Sequence, residues 1–255
     1  MPFTLSHPAA ILPIHALLGR RASLSALVIG SMVPDLPYFM GFGSGAFSHS
    51  LTGVALFCLP YGLLCYLLFH LWLKRPLKAL LPGPVWRRMP VLPLWPAVPW
   101  PWVGFSLGLG ALTHLLWDGF THANGVVVQQ VAWLHSIAME GDRVLHPYKW
   151  LQHFSSLAGM LAMGLYARNW YCRAALRERD GALAWQVRYG VCATVALAGL
   201  AASGLGGRWD LVLSTERRLF FMVVNGITVA LLALAVFALC WHLHHWWRHD
   251  DDDDK

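Results

Sequence analysis

The chain has 255 residues, of which 57% are hydrophobic and only 13% charged, with a formal net charge of +6 and a mean hydropathy of +0.49. An ordinary soluble domain carries about 25% charged residues, so the composition excludes that class and indicates an all-α integral membrane protein. The basic excess then reports membrane topology and not a nucleic-acid surface.

In chain order, two short apolar pieces come first, at 8–19 and 22–34, divided by Arg20 and Arg21. Each is too short to cross a bilayer alone, because a spanning helix needs about 20 apolar residues. They predict an N-terminal short-helix hairpin, although 22–40 could cross if it continues through Pro-Asp-Leu-Pro-Tyr-Phe. No basic head precedes the first piece, so it reads as a retained helix and not as a cleaved signal. Five full transmembrane helices are then expected, at about 50–73, 102–120, 150–171, 186–205 and 218–241. The stretch 74–101 between the first two holds eight prolines. It cannot be helical throughout, and its tryptophans suit a membrane interface. Residues 121–149 form the principal loop on the other side and the expected lid or substrate loop. We expect one membrane domain over 1–250, with a motif-bearing part at 1–172 and two additional helices at 173–250. Residues 251–255 read Asp-Asp-Asp-Asp-Lys, the pattern of a tag remnant.

Lys and Arg set the orientation. With 74–101 inside, thirteen of them lie inside and five outside, namely Arg143, Lys149, Arg208, Arg217 and Arg218. That bias predicts a multi-pass protein of the bacterial inner (cytoplasmic) membrane. The five cysteines, Cys58, Cys65, Cys172, Cys192 and Cys240, fall in or beside apolar segments without Cys-x-x-Cys spacing, so they read as small buried hydrophobes and not as disulfides or thiolate ligands.

The informative polar residues gather at the outward helix ends. His114 and Asp118 are four apart, which puts imidazole and carboxylate on one helix face, and an ionised Asp in an apolar helix is costly unless it is paired or coordinated. Asp35 lies at a corner set by Pro34 and Pro37. His49 opens a long apolar helix, and His7, His122 and His153 occupy comparable mouths. Together these seven predict a metal site opening outward, to the periplasm. His and Asp donors suit zinc first, with manganese or iron as alternatives. His15 and His70 read as structural. The terminal cluster His242, His244, His245 and His249, interleaved with tryptophans, reads as an interfacial collar. His135 and His146 lie in the outer loop.

Several motifs carry a resemblance: the opening Met-Pro-Phe-Thr-Leu-Ser-His-Pro, then Val-Pro-Asp-Leu-Pro-Tyr-Phe, Phe-Ser-His-Ser-Leu-Thr-Gly, Thr-His-Leu-Leu-Trp-Asp-Gly-Phe-Thr-His and Leu-Gln-His-Phe-Ser-Ser-Leu-Ala-Gly. This set resembles the DUF4184 family of bacterial membrane proteins. The order of the His and Asp residues is also similar to that of the membrane-bound metal-dependent hydrolases and of zinc-dependent phospholipase C and the S1/P1-type nucleases, helical enzymes with three zinc ions. That second resemblance implies two or three ions. Asp35, His49, His114 and Asp118 would surround one, Asp118 would bridge to a second near His7, and His122 and His153 would serve a further one. The soluble enzymes place a Glu one helical turn beyond the last His, where this chain has Leu157; Glu140 or Asp142 could substitute from the loop.

Such a site suits hydrolysis, with Asp35 or Asp118 as the catalytic carboxylate that orients or deprotonates water. The expected function is a metal-dependent phosphoric ester hydrolase, a phosphatase or phospholipase C type, acting on a membrane lipid or isoprenoid phosphate at the outer face. Arg143, Lys149, His146 and Arg208 are the candidate head-group ligands. The alternatives are a metal or lipid transporter using the same residues, or a scaffold whose metals hold helices together.

Overall fold

A computed structural model describes residues 4–41, 45–90, 98–136, 138–140, 143–177, 183–206 and 215–253. Apart from an antiparallel pairing of Ala138–Glu140 with Arg143–Leu145, its regular structure is helical. The chain divides into two units, the first of residues 1–66 and 96–172 and the second of 67–95 and 173–255. The expected two extra helices thus fall in one unit with 67–95, which composition alone had grouped with the motif-bearing part.

In the first unit, α1 (Pro8–Leu18) is followed by α2 (Leu24–Gly30) and α3 (Leu36–Met40). Pro8 stands in the first turn of α1, where a missing N–H costs nothing, and Gly19 ends the helix with φ +56, a conformation that suits glycine. Ser23 caps α2 by accepting from the Ala26 N–H at 3.3 Å. Between α2 and α3 the chain tightens at Val33–Asp35, because the ring of Pro34 cannot continue the α2 ladder. The hairpin of short helices is therefore present, and 22–40 is interrupted at the corner that carries Asp35.

Helix α4 (Leu51–Ala79) starts at Ser50, whose hydroxyl accepts from the Gly53 N–H at 2.9 Å. It contains two wide π-helical turns, at Val54–Cys58 and Phe69–Leu73. It also runs six residues past the expected end at 73, through Pro76. Helix α5 (Trp100–Thr121) begins at Pro99, and the His122 backbone, in extended conformation, ends it. A short α6 (Val126–Gln130) folds back after it, and α7 (Pro147–Arg173) closes the unit.

The core of this unit lies between α2, α4 and α5. Ala26, Tyr66, Val103 and Leu107 form one buried cluster and Val33, Val54, Cys58 and Ala111 a second. Helices α2 and α5 touch backbone to backbone. A Cβ on Gly110 would collide with the Leu27 carbonyl and come within 2.8 Å of the Ser31 nitrogen, and one on Gly30 would collide with the Leu107 carbonyl. Small residues at such a crossing let apolar helices pack closely where no hydrophobic force drives them together.

The second unit holds the rest of α4 together with α8 (Trp185–Gly206) and α9 (Thr215–Asp253). Glycine again sets the α8–α9 approach, since a Cβ on Gly199 would lie 3.0 Å from the Gly226 carbonyl oxygen. Ser203 donates to the Met222 carbonyl at 2.9 Å. His70 is buried against the Lys74 ammonium, 2.9 Å away, and His242 Nε2 is 2.9 Å from the Trp72 carbonyl. These histidines are structural.

Three helices, Leu51–Ala79, Trp185–Leu205 and Arg217–Trp247, are long and apolar enough to cross a membrane, and the last two are almost bare of covering protein. An apolar helix left uncovered needs lipid, so the chain is a membrane protein. The expected spans at 102–120 and 150–171 are helices of 22 and 27 residues, but they fall outside those three. Gly, Ser, Thr, Trp and His residues dilute their hydropathy.

Candidate metal centre

Five residues converge within the first unit. His7, Asp35 and His114 form one group whose donor atoms all lie within 4.8 Å of one another, and His49, His114 and Asp118 form another. Asp35, His7 and His114 are buried, and Asp118 nearly so. Each arrives by a local device already described. The proline corner delivers Asp35, the residue before Pro8 is His7, the loop before the Ser50 cap carries His49, and the face of α5 directly above Gly110 and Ala111 presents His114 and Asp118.

The hydrogen bonds fix which ring nitrogens face inward. A backbone carbonyl can only accept, so the 2.8 Å contact from His114 Nδ1 to the Ser31 oxygen and the 2.9 Å contact from His49 Nδ1 to the Gly45 oxygen put a proton on each Nδ1. In the neutral rings both Nε2 atoms then carry lone pairs. They lie 3.3 Å apart. His49 Nε2 is also 3.4 Å from Asp35 Oδ1 and from Asp118 Oδ2, and His114 Nε2 is 3.6 and 3.3 Å from the same two oxygens. Four donors placed about 2.1 Å from a tetrahedral ion stand roughly 3.4 Å from one another. The observed separations fit that figure.

A second focus adjoins the first. Asp118 Oδ1 lies 3.6 Å from His7 Nε2 and 3.4 Å from His122 Nδ1, so the two oxygens of one carboxylate face two different sets of imidazoles. His122 Nδ1, 3.2 Å from the Asp118 carbonyl, carries a proton by the same rule, one that an ion there would displace. The rings of His7 and His114 stack at 3.8 Å. Both nitrogens of His7, Asp35 Oδ1 and Asp118 Oδ1 are buried without hydrogen-bond partners. A buried polar atom left so costs about 1–3 kcal/mol, more when charged. Converging lone pairs, two carboxylates and orphaned atoms together form groups that could hold a metal ion.

Electrostatics point the same way. Burial opposes charge on His49, but the Asp118 and Asp35 carboxylates beside it outweigh burial and raise its pKa to about 10. Burial, reinforced by His114, lowers that of His7 to about 3. A proton on His49 answers the positive charge that the two carboxylates call for and would give way to a metal, and the His7 ring stays neutral, the form in which imidazole ligates.

Around the donors lies a supporting shell that sequence reading missed. Thr4 donates its hydroxyl to Asp35 Oδ2 at 2.6 Å, leaving Oδ1 for the centre. Ser48, buried, donates to the carbonyls of Pro34 at 2.6 Å and Gly45 at 2.8 Å, tying the His49 loop to the Asp35 corner. Ser48 and Thr4 sit inside the quoted motifs, which was their only signal. The backbone acceptors had none.

The other predicted residues stand apart. His153 is exposed on α7, and no contact among the described residues joins it to the centre. The inward face of α7 instead carries Gln152, Ser155 and Gly159. Ser155 accepts from the Trp117 indole at 3.0 Å, and a Cβ on Gly159 would lie 3.0 Å from the Ser6 carbonyl oxygen. The expected pairing of His122 with His153 is therefore replaced by His122 beside Asp118. His146 stacks on Tyr148 at 5.2 Å, and Lys149 is half-buried near the start of α7; neither has a described contact with the centre. The side chains of Arg143 and Glu140, and all of Asp142 and Arg208, lie outside the described residues.

A family model described as a domain of unknown function, DUF4184, matches residues 1–241. No curated protein and no solved structure matches the chain.

Proposed function

The chain belongs to the DUF4184 family, and on that premise we propose that it is a membrane-embedded metal-dependent phosphoesterase acting on a lipid or isoprenoid phosphate, with its centre at the outer face of a bacterial inner membrane. The observation that carries this reading is the Asp118 carboxylate, which faces His49 and His114 with one oxygen and His7 and His122 with the other. In this reading 102–120 and 150–171 also cross the membrane, completing five spans.

Asp35, His49, His114 and Asp118 would hold one divalent ion, zinc by donor type, and His7, His122 and Asp118 a second. Bound there, such ions supply Lewis-acid activation of water and of a phosphoryl oxygen. The remaining work falls to the chain. Asp35 has one oxygen occupied by Thr4 and is fully buried, whereas Asp118 keeps some exposure. Asp118 is thus the carboxylate nearest an incoming water, which it would help to orient, although its two oxygens, spent on the two ions, leave none to take the proton.

One observation favours a structural metal instead, namely that the first position has four protein donors, as closed zinc sites do. The second has three, which leaves room for water. Elemental analysis of the purified protein, with phosphate release measured from a panel of lipid and isoprenoid phosphates, separates the readings. About two ions per chain with turnover supports the phosphoesterase. Bound metal without turnover on any substrate favours the scaffold or a transporter, and a metal-free protein removes the centre altogether.

The supporting shell gives a further expectation. Ser48→Ala should weaken metal binding by about 10- to 100-fold, as removal of outer-shell partners does, while helix content is unchanged. A chelator-competition titration reads this directly, and unaltered affinity would show that the Ser48 tie does not hold His49 in place.

A further inference from the structure

Residues 122–139 contain no Asp, Glu, Lys or Arg, although they lie between the end of α5 and the start of α7. A loop of that length in water would ordinarily carry charge. This one is also built onto the metal helix. Gly125 donates its N–H to the His122 carbonyl at 2.8 Å, and a Cβ there would collide with the Gly119 carbonyl, so only glycine lets the chain fold back against the end of α5. Val128 and Leu134 are buried beneath the segment, whereas Val126 is 68% exposed and Trp133 69%. The face turned away from the protein is thus mixed but without Asp, Glu, Lys or Arg, with Val126, Val131 and Trp133 exposed beside Gln129, Gln130 and His135, the composition of a membrane interface.

We propose that 126–135 is seated in the boundary between lipid head groups and acyl chains, with Val126 and Trp133 turned to the bilayer. Tryptophan concentrates at that depth because its ring is apolar and its N–H polar. The helix that follows begins the same way, with Trp150 and Phe154 exposed and stacked at 5.7 Å. Because Gly125 lashes the segment to the turn bearing Asp118 and His122, its seating fixes the centre at head-group depth. An amphiphile could then reach it by lateral diffusion. Only this last consequence rests on the phosphoesterase reading.

The test places a nitroxide at Val126→Cys and at Trp133→Cys, in a chain whose exposed cysteines Cys172, Cys192 and Cys240 are serine. A label at the buried Val128→Cys serves as the protein-shielded reference. Power saturation is read in nanodiscs of phosphatidylethanolamine and phosphatidylglycerol, with oxygen and with a water-soluble nickel chelate as relaxants. Labels 126 and 133 are expected to be several-fold more accessible to oxygen than to nickel. Nickel access equal to that of free label in water overturns the proposal, and so does shielding from both relaxants like that at 128, the mark of a protein partner. The readout needs neither metal nor turnover, so its failure leaves the phosphoesterase reading standing, and the converse holds.

Discussion

Asp118→Ala is expected to yield a folded membrane protein that has lost both ions and roughly a thousandfold in rate, equivalent to about 4 kcal/mol of barrier. Among the described residues, Asp118 alone stands within 3.6 Å of four imidazoles. Its removal leaves His49 and His114 with only Asp35, and His7 and His122 with no carboxylate. The variant also loses the carboxylate that most favours the charged form of the half-buried His49, so stability in the absence of metal should fall modestly. Asp118→Asn separates shape from charge. It keeps the volume and one oxygen but not the anion, and should retain at most one ion per chain. His153→Ala, on an exposed position, should change neither metal content nor rate. Elemental analysis of the three variants beside wild type decides the matter. Wild-type metal in Asp118→Ala would place the ions elsewhere, and loss of metal in His153→Ala would restore that residue to the ligand set.

Gly110→Val should be the most damaging single change away from the donors. The new side chain would drive into the Leu27 carbonyl and against the Ser31 backbone, neither of which can rotate aside. Overpacking of a tight contact costs about 1–3 kcal/mol or more, and here backbone has to move. Because Ser31 supplies the carbonyl that orients His114, separating α2 from α5 also turns the ligand. The expected result is a sharply lower thermal midpoint in detergent together with reduced metal content. Gly104→Ala, on the same helix but with nothing within 4 Å of its Cβ, should be neutral or stabilising by up to about 1 kcal/mol. Equal behaviour of the two variants would show that the close crossing does not support the site.

Much of this centre was legible in the chain itself. The i, i+4 spacing of His114 and Asp118 gives their common face without any tertiary knowledge, and the prolines around Asp35 announce a corner. Most helix bounds were close for the same reason, since a change from apolar run to Pro, Gly or Arg is a local event, but the helices expected to end at 73 and 241 run on to Ala79 and Asp253. His153 shows where local reading stops. Its neighbours Gln152, Ser155 and Gly159 share one stripe of α7 and His153 lies off it, but a residue type that ligates metals draws attention whichever way its helix is turned. Thr4, Ser31 and Ser48 were missed because their contribution is a hydroxyl or a carbonyl aimed by the fold, and every serine has both. Of the five expected spans three are long and apolar enough to cross a membrane, since a helix that must hold polar side chains and close-packed glycines is less apolar than one that faces lipid alone.

The wide turn at Val54–Cys58 separates the loop carrying His49 from the packing of Gly62 and Tyr66 below it. A π-helical turn holds one residue more than its α equivalent, and each residue of a helix advances its face by about 100°. The extra residue is taken up within the turn itself, so deleting one residue there would restore an ordinary α ladder and leave His49 in nearly the same phase relative to the core face of α4. A one-residue deletion is therefore tolerated better inside this turn than in the plain α ladder on either side of it, where it would swing His49 through that full angle.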